Sequence, residues 1–212
     1  MNTLQVVGRR SSLFTRMALI FAEEFSVPYE LTPIYDMTVV GPETYAGNPA
    51  LKLPILRREH GVLFGTQNIC RAIAESANAR ANDVVWPEHL TDDTSRNAQE
   101  LVWHCMAAQV QIVFGSVVCQ LPADNMYFTK ARAGLEGSLE WLDSHLDRAL
   151  SALPSSRKLS IFEVSLFCLV DHLGWRKTIS MDRFSALARF TTAYGSRPAC
   201  QHTAYAFDVP AN

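Results

Sequence analysis

Paired cysteines, clustered histidines, runs of one charge and bilayer-length apolar stretches are all missing from this chain of 212 residues. Each absence removes a class of function. The cysteines Cys70, Cys105, Cys119, Cys168 and Cys200 are odd in number, scattered and without a CxxC pair. That excludes a disulfide framework, a thioredoxin-type redox pair and a zinc knot, and leaves them as small residues of a core. The histidines show no HxxxH or HxxH spacing, so no metal site is expected. A formal charge of −2 and a pI near 6.3, with no basic run longer than a pair, leave no electrostatic footprint for nucleic acid. The apolar runs Val110–Val118 and Ile161–Val170 are shorter than the roughly 20 residues a bilayer span requires. Arg16 also breaks the N-terminal apolar stretch where a cleavable signal would sit. A cytoplasmic protein with neither a nucleic-acid nor a membrane partner is expected.

What is present is an ordinary globular composition, 48% hydrophobic and 19% charged, enough for one large or two small domains. The most legible stretch is Asn48–Glu75, NPALKLPILRREHGVLFGTQNICRAIAE. Leu53, Ile55 and Leu56 around Pro54, a polar turn over Arg57–Gly61, then Val62, Leu63 and Phe64 read as a hairpin. Pro54 has no N–H for a ladder, so it belongs at a strand start or edge and leaves the edge beside it open. The peptide bond entering it is a candidate for the cis isomer. Ile69, Ala72, Ile73 and Ala74 then share one helical face, with Thr66 as N-cap and Gly65 easing the bend from strand to helix.

Before that stretch, Leu4–Val7 reads as a buried strand, and Phe14, Met17, Ala18, Phe21 and Phe25 recur at helical spacing. Pro28–Leu31 is the returning strand, and Thr38–Ala46 is irregular. The order is therefore β-α-β, a connector, then β-β-α. Residues 78–97 turn polar, acidic and proline-containing, which marks a linker. Beyond it strand signals fade. A helix covers about residues 98–116, and Leu135, Leu139, Leu142, Leu146 and Leu150 form one stripe of a second. Ser160-Ile161-Phe162-Glu163 reads as a capping box with Leu159 and Val164 as a hydrophobic staple. A last helix, Arg183–Tyr194, stops at Gly195-Ser196-Arg197-Pro198. The fold class is α/β plus all-α, with domains at 1–77 and 98–212 joined by the linker.

Asn48-Pro49, Lys52-Leu53-Pro54 and Leu63-Phe64-Gly65-Thr66-Gln67 with Ile69 resemble the "NPxGKVPxL" and "L-x-[EQ]-S-x-x-I" motifs of the cytosolic glutathione transferases. Ser160–Glu163, Trp175-Arg176 and Arg197-Pro198 resemble later helix signatures of that family, so the likeness touches nearly the whole chain. It implies a thioredoxin-like N-terminal domain followed by a C-terminal helical bundle, glutathione as co-substrate with no metal, and a homodimer. It gives the backbone of Leu53, before Pro54, the contact to the cysteinyl part of glutathione. Gly65 and Thr66 take the grip on the γ-glutamyl group, and Lys52 the place of the family's lysine. Aligning Phe14 and Arg16 with "S-P-F-S-R" places Ser12 against the glutathione sulfur. Gly65 departs from the acidic or amide residue of the family; Gln67, two residues on, offers an amide in compensation.

Physical chemistry independently favours such a site. A free thiol with a pKa of about 8.5 is mostly protonated at neutral pH, and a hydroxyl donor at a helix N-terminus stabilises the anion. Ser12, with Ser11 as the second candidate, opens the first helix. Arg9, Arg10 and Lys52 offer positive charge for the glutathione carboxylates. Leu13, Trp103, Met106, Val110 and Phe114 offer apolar surface between the domains for a small-molecule electrophile. The reading is a transferase in which the thiolate attacks that electrophile. The alternatives are the same fold kept as a non-catalytic binding module, for which Gly65 speaks, and a glutathione-dependent isomerase or dehalogenase.

Overall fold

The computed structural model describes residues 3–210. The chain forms two units: one runs from the N-terminus to Arg80 and takes in the segment from Ser196 onward, and the other is Ala81–Gly195.

In the first unit, β1 (Leu4–Gly8), α1 (Leu13–Glu24) and β2 (Tyr29–Pro33) make a parallel crossover, and β3 (Ile55–Arg58) and β4 (Gly61–Phe64) an antiparallel hairpin closed by α2 (Thr66–Ser76). The sheet order is β2-β1-β3-β4, with β1 antiparallel to β3. This is the thioredoxin-like arrangement expected. Helix α1 is mostly apolar and buried from Leu13 to Ala22 apart from Phe14, with Thr15 and Arg16 buried among the apolar residues. It packs on α2, which buries Ile69, Cys70, Ala72, Ile73 and Ala74.

Three local readings change. The hairpin turn is only Glu59-His60, because Arg57 and Arg58 pair with Val62 and Gly61; both arginines are exposed, so a strand tolerates them. Pro54 stands just before β3, and β3 is internal, flanked by β1 and β4. The open backbone is therefore the lead-in before the strand, not a sheet edge. The N-cap of α2 is Gly65, not Thr66, and no side chain caps the helix. With φ +86° and ψ 128°, Gly65 turns the chain from strand to helix in one residue, a conformation open to glycine.

The second unit contains α3 (Asp93–Val113), continued by a π-helical turn at Phe114–Val118, then α4 (Met126–Ser151), α5 (Ile161–Arg176) and α6 (Ser185–Gly195). Helix α3 packs on α4 and α5, and α6 on the same two. Leu135, Leu139, Leu142 and Leu146 are buried as expected, each contributing about 1.5–3 kcal/mol. Helix α3 starts earlier than its apolar pattern, because Asp92 accepts from the Ser95 amide at 3.1 Å and caps it. The continuous run Asp93–Val118 is long and apolar enough, by composition, to cross a bilayer; the shorter apolar run inside it does not reveal this. Here the helix is engaged by α4 and α5. At the π turn, Gly115 lies under the Phe128 ring, where a Cβ would stand 2.3 Å from Cζ.

The stretch read as a linker is partly structured. Val84-Val85 form β5, which pairs in parallel with β6 (Leu159–Ser160), and Trp86 is buried beside them. Three apolar residues inside a polar segment were enough to pull it into the helical unit. Ser160 stands at the N-cap position of α5, but the capping box is not made: its hydroxyl is buried without a partner among the described residues. Glu163 instead takes a two-pronged grip from Arg157, at 2.7 and 2.6 Å. A bidentate guanidinium competes better for a carboxylate than one backbone amide.

Pro198 does not end the helices. It opens α7 (Pro198–His202) at the first helical position, where a missing N–H is harmless. This segment packs on α1 because the latter carries its anchors. Arg197 pairs with Glu24 at 2.7 Å. The buried Arg16 donates to the Cys200 carbonyl at 3.0 Å and lies 4.1 Å over the Tyr205 ring.

Candidate functional site

Strand register brings three chain segments to one end of the sheet. Val7 in β1 pairs with Ile55 at the start of β3, and Ile55 pairs with Phe64 at the end of β4. Just past those positions lie the Arg9–Ser12 turn, the lead-in Leu51–Pro54 and the Gly65-Thr66 start of α2. Two helix N-termini, with their unpaired N–H groups, thus meet a stretch of backbone outside any ladder.

The lead-in is held from behind. The Leu53–Pro54 bond is cis, as expected. The Leu53 side chain packs against the buried Val7, Ile34, Tyr45 and Ile55. Within the described residues no hydrogen bond uses its N–H or C=O. Asn48, buried, donates to the Lys52 carbonyl at 2.9 Å and accepts from the Ala50 amide at 3.0 Å. Asn48 is the positioning residue that sequence reasoning passed over; its place in the Asn-Pro motif was the signal. Lys52 itself is exposed.

The serine turn is equally defined. The Ser12 N–H donates to the Arg9 carbonyl at 3.1 Å, and the Ser12 Oγ accepts from the Thr15 amide at 3.2 Å. A hydroxyl that accepts from a helix amide keeps its own proton to donate. Ser12 is half-buried while Ser11 is buried. Arg9 is not a free cation: Asp208 lies 4.0 Å from its Nε. Arg10 is exposed.

Thr66 and Gln67 are half-buried on the first turn of α2, and their side chains make no internal hydrogen bond among the described residues. At Gly65 a Cβ would meet only Asn68, at 3.5 Å, so any substitution cost there comes from the backbone. Gly65→Ala is expected to lower stability by about 1–2 kcal/mol, measured by urea unfolding; a neutral result would show that the positive φ is not needed.

The residues expected to receive an electrophile divide. Met106 and Leu13 are fully buried, each within its own unit, and serve as core. Trp103 is half-buried, while Val110 and Phe114 are exposed. Elsewhere in the helical unit, His104, Cys105, Gln111, Tyr127, Lys130 and Ser138 line a groove of about 410 Å³ between α3 and α4. Burial pushes the Cys105 thiol up to about 12, so it is no nucleophile at neutral pH. Of the five free cysteines only Cys119 is exposed. A thiol reagent is therefore expected to label Cys119 alone in the native protein; rapid labelling of a Cys119→Ser variant would contradict the burial of the others. Among the described residues no group of three metal-ligating side chains comes together.

Residues 11–76 match the family described as "Glutathione S-transferase, N-terminal domain". No curated protein matches the chain. Similar solved structures include a glutathione S-transferase from Methylobacillus flagellatus KT with GSH bound, at TM-score 0.73 and 18% identity, covering 96% of this chain and 100% of that one. A second, from Methylobacterium radiotolerans JCM 2831 in complex with glutathione sulfonate, has TM-score 0.73 and 17% identity, with coverage of 100% and 99%. Poplar glutathione transferase F1 gives 0.68 and 20%, with coverage of 96% and 97%. Residues 11–76 therefore resemble the glutathione S-transferase N-terminal domain, and the chain as a whole has the fold of the glutathione transferases.

Proposed function

We propose that the protein is a glutathione transferase that conjugates the glutathione thiolate to a small electrophile. The observation that carries this is the convergence described above: a Ser12 hydroxyl with a proton to donate, at the end of the sheet where the Leu53 amide and carbonyl have no internal partner. Leu53 would pair with the cysteinyl backbone, while the first turn of α2, through Thr66 and Gln67, would receive the γ-glutamyl carboxylate. Lys52 adds charge for a carboxylate. Ser12 would then hydrogen-bond the sulfur and hold it ionised. Two of the similar structures hold glutathione or glutathione sulfonate, which supports the same ligand here. For the electrophile, Trp103, Val110 and Phe114 offer accessible apolar surface; Met106 and Leu13 do not.

The homodimer expected from the family is part of this proposal. Its support is the exposed apolar surface at the end of α3 and the start of α4, with Val117, Leu121, Met126 and Tyr127 uncovered, more than scattered single residues. Light scattering should give about twice 23.7 kDa; the monomer mass would refute it. Free thiols throughout suit a reducing cytoplasm.

The test is retention on immobilised glutathione followed by conjugation to an aromatic halide. Retention with turnover is expected. Retention without turnover favours the binding module, and no retention at any salt removes glutathione from the reading.

A further inference from the structure

The segment after α7 reaches the serine turn through Asp208. From Arg197 through α7 and beyond, the chain runs along α1, held first by Arg197–Glu24 and then by Arg16 on Cys200 and Tyr205. It then places the Asp208 carboxylate 3.0 Å from the Arg10 N–H and 4.0 Å from Arg9 Nε. Arg10 lies inside the turn whose closing bond runs from the Ser12 N–H to the Arg9 carbonyl. The other side of this turn is pinned by Thr15, whose hydroxyl accepts from the Arg9 N–H at 3.4 Å. Thr15 approaches closely because Gly8 has no side chain: a Cβ there would be 2.6 Å from Oγ1. The Asp208 side chain is only 6% exposed, and a carboxylate that buried is kept by its partners.

We propose that Asp208 is a positioning residue of the serine turn, holding it through the Arg10 amide and offsetting the Arg9 charge beside it. The catalytic consequence rests on the transferase reading; the structural one does not. Among the described residues Arg9 also acts on Asp36, whose carboxyl the Thr38 hydroxyl and amide hold low, and on the Tyr45 phenol, which burial pushes up. Asp36 is exposed and Tyr45 neutral at pH 7, so Asp208 is the buried counter-charge. Asp208→Asn keeps an oxygen acceptor for Arg10 but removes the charge. Of these two carboxylates Arg9 then keeps only the exposed Asp36 as a counter-charge, so more positive charge stands beside the serine turn and a bound thiol ionises at lower pH. Asp208→Ala removes both the acceptor and the charge.

The experiment compares the full-length wild type with Asp208→Asn and Asp208→Ala. It follows amide hydrogen exchange across Arg10–Leu13 and the pH dependence of kcat/KM for conjugation. Exchange at Arg10 is expected to rise about tenfold or more in Asp208→Ala and to stay near wild type in Asp208→Asn. The acid limb of the Asp208→Asn pH profile should move to lower pH, while Asp208→Ala loses kcat more than it changes KM. Unaltered Arg10 exchange in Asp208→Ala overturns the proposal, with or without turnover. If Asp208→Ala does not fold, an unmoved acid limb in Asp208→Asn overturns it instead. A wild type that never conjugates, with Arg10 exchange still responding to the alanine, defeats the transferase reading and leaves the positioning role standing.

Discussion

Ser12→Ala is expected to lower conjugation at neutral pH by roughly two orders of magnitude, the usual cost of one lost anion-stabilising donor. The sign with pH follows: without the donor the bound thiol ionises nearer its free value of about 8.5, so the deficit should shrink as pH rises. Ser12 also caps α1 through Thr15, and losing a cap costs about 1 kcal/mol. The two effects are separable. Ser12→Asp retains a favoured N-cap acceptor, so thermal unfolding should stay near wild type. It has no proton to donate at neutral pH and repels a thiolate, so the rate should fall at least as far as in the alanine variant. Equal rates in wild type and Ser12→Ala would exclude Ser12 and leave the buried Ser11 as the candidate.

Arg157→Met should destabilise the helical unit by about 3 kcal/mol, the lower end of the range for breaking a buried pair. The guanidinium also donates to the Leu153 and Pro154 carbonyls, so it ties the end of α4 to the first turn of α5. Side-chain exposures of 19% for Arg157 and 12% for Glu163 leave the carboxylate little water once its partner is gone. Changing both residues to Met should recover much of the loss, because no unpaired charge remains. Urea unfolding of the single and double variants measures this. A single-variant loss under about 1 kcal/mol would class the pair with surface bridges.

Local chemistry made much of the fold legible. The apolar periodicity of α1, the leucine stripe of α4 and the placing of Pro54 at a strand start follow from residues close in sequence, where spacing and the missing N–H of proline dictate the outcome. Readings that failed involved competition. Glu163 had a backbone amide available and chose Arg157. Val84-Val85 looked like part of a linker until Leu159-Ser160 offered a partner strand. Gly65, by contrast, eases the bend from strand to helix as expected, through its positive φ. For the site, residue types and order pointed to Ser12, Lys52–Pro54 and Gly65–Gln67; burial separated Ser12 from Ser11 and withdrew Met106 and Leu13 from the accessible surface.

The sequence by itself determined the order of strands and helices, the proline-led hairpin and the serine at a helix start, because each depends on neighbours a few residues apart. Only the tertiary structure decided that the residues after α7 return to α1, bringing Asp208 to Arg9 and Arg10. Contacts between positions nearly 200 residues apart leave no periodic trace in the chain; they arise when packing brings opposite charges together where water is scarce.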